Sequence, residues 1–137
     1  MPLDHISILV PISKLEDMIT FLTTSLGHLG FKELMRPIPT VVGFGEQQPY
    51  FWISTFEPKP GTEEVAADLL KKNHFAFTAQ TIEEVRQFHV AALNAGATCN
   101  GEPGPRDHYH SGYYGAFVHD PVLGANFEVV CHTHKGD

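Results

Sequence analysis

The sequence predicts an α+β fold in which one strand–helix–strand–strand–strand pattern is written twice. Three observations predict it. A histidine heads an alternating strand pattern in two places, His5 in "HISILV" and His74 in "HFAFTA". Each segment leads into an amphipathic helix closed by a glycine, Gly27 or Gly96, and the His-to-Gly separation is 22 residues in both (27−5 and 96−74). Three short strand candidates then follow each helix. Self-similarity at a fixed spacing marks a duplicated unit. One helix followed by three strands, twice, implies helices packed on one face of a sheet, not the alternating order of a parallel α/β fold.

In the first copy the two-residue strand period puts His5, Ser7 and Leu9 on one face and Ile6, Ile8 and Val10 on the other. Ser13 and Glu16 have the spacing of a capping box, and Leu15, Met18, Ile19, Leu22 and Leu26 recur at helical spacing up to Gly27. Strands are expected at about 31–36, 40–46 and 50–55, punctuated by Pro37, Pro39, Gly45 and Pro49. Residues 57–72 read as a linker in which "TEEVAADLLKK" can form a short helix. In the second copy His74, Ala76 and Thr78 share one face, and Phe75, Phe77 and Ala79 the other. Thr81 and Glu84 form a second capping box, with Ile82, Val85, Phe88 or His89, Ala92 and Leu93 as the apolar face before Gly96. Strands follow at about 98–102, 113–119 and 125–131. The expected organisation is one domain over 1–137, with module 1 at about 3–56 and module 2 at about 73–132.

Composition narrows the function. The 137 residues carry 42% hydrophobic and 18% charged side chains, enough for one folded core. A net charge of −7 with scattered Lys and Arg argues against a nucleic-acid partner, since phosphate binding needs clustered cations. No apolar run approaches the roughly 20 residues that span a bilayer, and the opening Met-Pro-Leu-Asp-His does not read as a secretory signal. A cytoplasmic protein without a membrane partner is therefore expected. Cys99 and Cys131 fit a reducing compartment and read as small buried apolar groups. The unusual feature is nine histidines that do not form a tract.

The paired first strands "DHISILV" and "HFAFTA", with "YYGAFVHDPVLGANFEVV" near the end, resemble the vicinal oxygen chelate superfamily. That group includes glyoxalase I, extradiol dioxygenases, fosfomycin-resistance thiol transferases and bleomycin-resistance proteins. The last stretch is similar to the family's aromatic-x-x-Phe-x-x-Asp-Pro-(Asp)-Gly-x-x-Ile-Glu ending. It departs in having both Val122 and Leu123 between Pro121 and Gly124, and Phe127 where Ile or Leu is common. The resemblance covers nearly the whole chain and implies two βαβββ modules forming a curved mixed sheet around a cavity. It also implies a homodimer.

Carried over by position, the resemblance assigns a divalent metal to His5, His74 and Glu128. The fourth ligand position falls on Trp52 when "YFWIS" is set against "NFEVV". An indole N–H is a donor only, so Trp52 cannot ligate. This disfavours the four-ligand chemistry of glyoxalase I. Two imidazoles and a carboxylate suit Fe, Mn, Ni or Zn, and three protein ligands leave positions for water and substrate.

The implied activity is that of a metal-dependent lyase or isomerase, dioxygenase or thiol transferase acting on an oxygen-bearing small molecule. The alternative is a metal-free binding or sequestration protein of the bleomycin-resistance type. His108, His110 and Tyr114, in the loop "GPRDHYHSGYYGAF", are the candidates for moving protons. Trp52, Arg106 and Tyr113 are candidates for the substrate pocket, and Arg36 is the other cation available to an anionic substrate. His119 is read into a turn, His28 and His89 into helices, and His132 and His134 beyond the last strand.

Overall fold

The duplicated pattern folds as two like units. A computed structural model describes residues 2–135 and divides the chain between Leu70 and Lys71. The first unit contains β1 (Ile6–Pro11), α1 (Leu15–Leu26), β2 (Lys32–Ile38), β3 (Val41–Gly45), β4 (Pro49–Phe56) and α2 (Glu63–Leu70). The second contains β5 (His74–Thr78), α3 (Ile82–Asn94), β6 (Thr98–Pro105), β7 (Tyr114–His119) and β8 (Asn126–Cys131). The sheets have the orders β1-β4-β3-β2 and β5-β8-β7-β6. In each, the helix carries the chain to the far edge, and a three-strand meander returns its last strand parallel to the first. The α+β class and both βαβββ modules are as expected. Among the described residues no helix is long and apolar enough to cross a membrane.

The strand faces follow the two-residue period. Ile8 and Val10 are buried while Ser7 and Leu9 are exposed; Phe77 and Ala79 are buried while His74, Ala76 and Thr78 are exposed. α1 buries Leu15, Met18, Phe21, Leu22 and Leu26. α3 buries Val85, Phe88, His89 and Ala92, so both Phe88 and His89 belong to its packed face. That face lies on β6, β7 and β8.

The helix signals divide. Thr81 is a working N-cap: its hydroxyl accepts from the Glu84 amide at 3.2 Å, and the Glu84 carboxylate accepts from the Gln80 amide at 2.7 Å. Ser13 is not a cap. The chain leaves Pro11 through a 3₁₀ turn, Ile12–Lys14, which moves the helix start to Leu15. Lys14 stands at the N-cap position and makes no side-chain capping bond, and the Glu16 carboxylate instead accepts from Arg36 at 3.3 Å. Gly27 is likewise not the final stop. It stays right-handed and opens a 3₁₀ turn, and the left-handed residue is Gly30 at φ 89°. In the second copy Gly96 takes that role directly, at φ 100°.

The turn with the extra residue is organised by a buried aspartate. The Asp120 carboxylate accepts from the amides of Val122, Leu123 and Ala125 at 2.8, 2.6 and 2.8 Å. His119, read into this turn from the sequence, is instead the last residue of β7, paired with Thr98 and Asn126, and its Nδ1 lies 3.1 Å from the Gly124 carbonyl of the turn. Cys131 is buried as expected, but Cys99 is exposed because it lies on β6, the edge strand of its sheet.

The two N-terminal helix signals predict opposite responses to alanine. Thr81→Ala should lower the unfolding free energy by about 1 kcal/mol in urea denaturation, the usual worth of a cap. Ser13→Ala should stay within about 0.5 kcal/mol of wild type, as a surface change without a lost cap does.

Candidate functional site

β8 lies between β5 and β7, and Glu128 sits in the middle of it, opposite Ala76 on one side and Phe117 on the other. Its side chain is 3% exposed. A buried carboxylate needs donors, and each neighbouring strand contributes one. His74, at the head of β5, places Nε2 3.0 Å from Glu128 Oε2. Tyr113, one residue before β7, donates its phenolic O–H to Glu128 Oε1. Gly115 keeps that space open: a Cβ there would stand 3.2 Å from Glu128 Oε1 and 3.3 Å from the Tyr113 ring.

The His74 ring is held from both sides. Nδ1 lies 3.0 Å from the Asn126 carbonyl, which can only accept, so Nδ1 carries a proton. Nε2 faces a carboxylate, which also accepts. A proton shared between Nε2 and the carboxyl group, or a bound cation, can bridge the two. Anchoring Nδ1–H on a carbonyl is the arrangement by which metal-binding histidines fix their orientation. Phe117 stacks on His74 with centroids 6.1 Å apart. The Arg106 guanidinium lies 5.4 Å from the Phe117 ring centre and donates to the carbonyls of Glu102 and Pro105 at 2.8 and 3.2 Å.

Tyr113 also anchors an outer group. The His110 and His132 rings stack at 5.1 Å with Nε2 and Nδ1 2.9 Å apart, and each meets Tyr113, at 5.4 and 5.2 Å. His108 is exposed and packs on Tyr109 at 4.3 Å. Tyr114 does not join the Glu128 group. Strand alternation turns it to the opposite face of β7, where it is buried and its hydroxyl accepts from Arg86 of α3 at 3.2 Å. Tyr113 stands where Tyr114 was expected to act. His132 follows the last strand, as its position in the sequence implies, yet its ring packs on Tyr113 and His110; its even spacing from Glu128 is the signal of that side.

In the first unit His5 precedes β1, with Nδ1 2.5 Å from Asp4 Oδ2, which leaves Nε2 as its lone-pair nitrogen when Nδ1 donates. Strand register supports the alignment of the copies. Trp52 pairs with Ser7, two residues past His5, as Glu128 pairs with Ala76, two past His74. Trp52 thus occupies the position of Glu128 in the other copy. Its ring lies over Gly43, where a Cβ would come within 2.8 Å, and makes an edge contact with His5 at 6.4 Å. Arg36 is engaged by Glu33 and Glu16 at 2.6 and 3.3 Å.

No family model matches the chain, and no curated protein sequence does. Solved structures do, and they show its fold to be that of the glyoxalase/bleomycin resistance/dioxygenase proteins. One is such an enzyme from Burkholderia phytofirmans PsJN, 21% identical, with 96% of this chain and 99% of that chain covered at a TM-score of 0.67. A candidate glyoxalase from Bacillus halodurans is 23% identical, with 95% of each chain covered at 0.73. A mutant of the fosfomycin resistance protein FosX from Listeria monocytogenes, complexed with Mn(II) and 1S,2S-dihydroxypropylphosphonic acid, is 19% identical. It matches over 97% of this chain and 90% of that one at 0.64.

Burial, and then the bond to Glu128, hold the Tyr113 phenol above the ordinary tyrosine range; burial and Glu46 do the same for Tyr50. The fold therefore favours the neutral phenol. That contribution is complete below about pH 10, the unfolded value, and is lost as pH rises through the higher folded value. Spectrophotometric titration should show a tyrosine component ionising above the ordinary range. Tyr113→Phe should remove part of it, and Tyr50→Phe the rest.

Proposed function

We propose that this chain is a divalent-metal-dependent enzyme acting on an oxygen-bearing small molecule, with His74 and Glu128 as metal ligands in the second unit and His5 as the equivalent ligand in the first. The observation that carries this reading is the His74–Glu128 pair. A nearly buried carboxylate faces an imidazole whose other nitrogen is already anchored, so a cation suits the space between them. The donor set also fits. Two imidazoles and one carboxylate take Fe, Mn, Ni or Zn, and the Mn(II) bound in the FosX structure supports a metal of that series. The Asp4–His5 pair supports a ligating role for His5, since a carboxylate on Nδ1 raises the basicity of Nε2.

The ion, when bound, would polarise a substrate oxygen and stabilise negative charge developing on it. The chain's own groups do the rest. Tyr113 is held on Glu128 with its proton retained, so it can donate at the phenolic oxygen. His110 and His132, packed on Tyr113 and exposed, form a hydrogen-bonded pair leading from the Tyr113 ring toward solvent. Arg106 supplies positive charge beside Phe117, and Phe117 an apolar surface beside His74. Trp52 in place of a fourth ligand favours reactions that leave the glutamate-base route of glyoxalase I aside: lysis, thiol addition or ring-opening oxygenation.

Elemental analysis of tag-free protein tests the reading. At this site about one ion per chain is expected, so reconstituted wild type should carry about one ion more than His74→Ala or Glu128→Gln, with a smaller loss in His5→Ala. Equal metal content in wild type and Glu128→Gln after reconstitution with Fe(II), Mn(II), Ni(II) and Zn(II) would overturn it in favour of metal-free binding.

A further inference from the structure

The other face of the second sheet brings together three donors that take no part in the group around Glu128. His89 projects from α3, and Cys99 and Glu102 come from β6. His89 Nε2 lies 3.2 Å from Cys99 Sγ, Cys99 Sγ lies 3.6 Å from Glu102 Oε1, and His89 Nε2 lies 3.9 Å from Glu102 Oε2. All three ligand atoms fall within 4.8 Å of one another.

Strand alternation alone would put Cys99 and Glu102 on opposite faces, being three residues apart. The register of β6 prevents that. Cys99 pairs with Val118 and Gly101 with Phe117, so an extra residue lies between them and reverses the parity. The bulge turns Glu102 to the side of Cys99, the side covered by α3. Bulges commonly re-aim a side chain in this way. His89 is nearly buried, its side chain 7% exposed, and its Nε2 meets the open pair from inside the helix–sheet contact. Glu102 is 79% exposed and Cys99 also faces solvent, so the group is accessible from outside.

We propose that His89, Cys99 and Glu102 form a second cation site, one selective for a divalent ion with thiolate affinity such as Zn(II). Zinc bonds of about 2.0–2.3 Å in tetrahedral geometry set neighbouring donors roughly 3.3–3.6 Å apart; the His89–Cys99 and Cys99–Glu102 separations are close to this, and the exposed Glu102 side chain must turn to bring one oxygen to both partners. A thiolate and a carboxylate neutralise the ion's charge, and the imidazole supplies a neutral third donor. Three protein donors leave the fourth position to water. The sulfur makes this site chemically distinct from the one proposed at His74 and Glu128, which has no thiol.

Cobalt reads the difference. Full-length tag-free chain, stripped of metal under reducing conditions, is titrated with Co(II) and followed by near-ultraviolet absorption. The expected result is a thiolate-to-cobalt charge-transfer band that is bleached by Zn(II) and that, in Glu128→Gln, saturates at about one Co(II) per chain. Cys99→Ser should abolish it, and Glu102→Gln should require more Co(II) to reach it. Cys131→Ser and Glu128→Gln should retain it. Because Cys99 and Glu102 are exposed, neither change threatens folding as loss of the buried His89 could. Absence of the band from the wild-type chain would overturn the proposal, as would its persistence in Cys99→Ser.

Discussion

A carboxylate almost withdrawn from water in the centre of a four-stranded sheet constrains everything around it. Glu128 can remain there only if both oxygens find donors, because stripping a carboxylate of water without replacement costs several kcal/mol. The strand order meets this need. With β8 placed between β5 and β7, one partner arrives from each side, His74 at the head of the parallel neighbour and the Tyr113 hydroxyl at the entry of the antiparallel one. Gly115 follows from the same demand, since a side chain there would crowd both the carboxylate and the phenol. The outer histidines are positioned in turn by Tyr113. A single buried charge thus accounts for the identity of a glycine, a tyrosine and a histidine on the two strands that flank it.

The first copy shows what happens when the charge is removed and the backbone kept. Trp52 holds the register position of Glu128, so no donors need converge on it. Its requirement is room, which Gly43 on the neighbouring strand supplies. The two copies share topology and parallel pairing while one has kept polar chemistry at this position and the other has become apolar. The shared backbone follows from patterning and turns; the chemistry follows from one side chain per strand, which fold alone does not dictate.

Much of this was legible in the sequence, and the failures have identifiable causes. Alternation in β1 and β5 found the buried faces because both strands are regular. The likeness between "YFWIS" and "NFEVV" gave the correct register because the one irregularity of β4, at Tyr50, precedes Phe51 and leaves its pairing with β1 regular. Ser13 and Gly27 misled because a 3₁₀ turn can precede or extend a helix without changing its apolar spacing, and both residues sit in such turns. Tyr113 and Tyr114 show the sensitivity of a single step in parity: adjacent tyrosines end on opposite faces, one bonded to Glu128 and the other to Arg86. His132 escaped because it follows the last ladder residue, where strand parity says nothing about where a ring can reach.

Parity also explains why the group at Cys99 was invisible. A strand reader assigns residues 99 and 102 to opposite faces, and only an extra residue on an edge strand can reverse that. β6 can carry such irregularity because it is paired on one side alone, and its run of Gly and Pro makes a regular ladder costly there. The interior strand β8 has no such freedom, since a shift in it would break pairing with both neighbours and displace Glu128 from its donors. The same sheet therefore holds two kinds of polar cluster for two reasons. One is imposed by burial on its most constrained strand. The other is assembled by irregularity on its least constrained strand, where a helix histidine meets it from beneath.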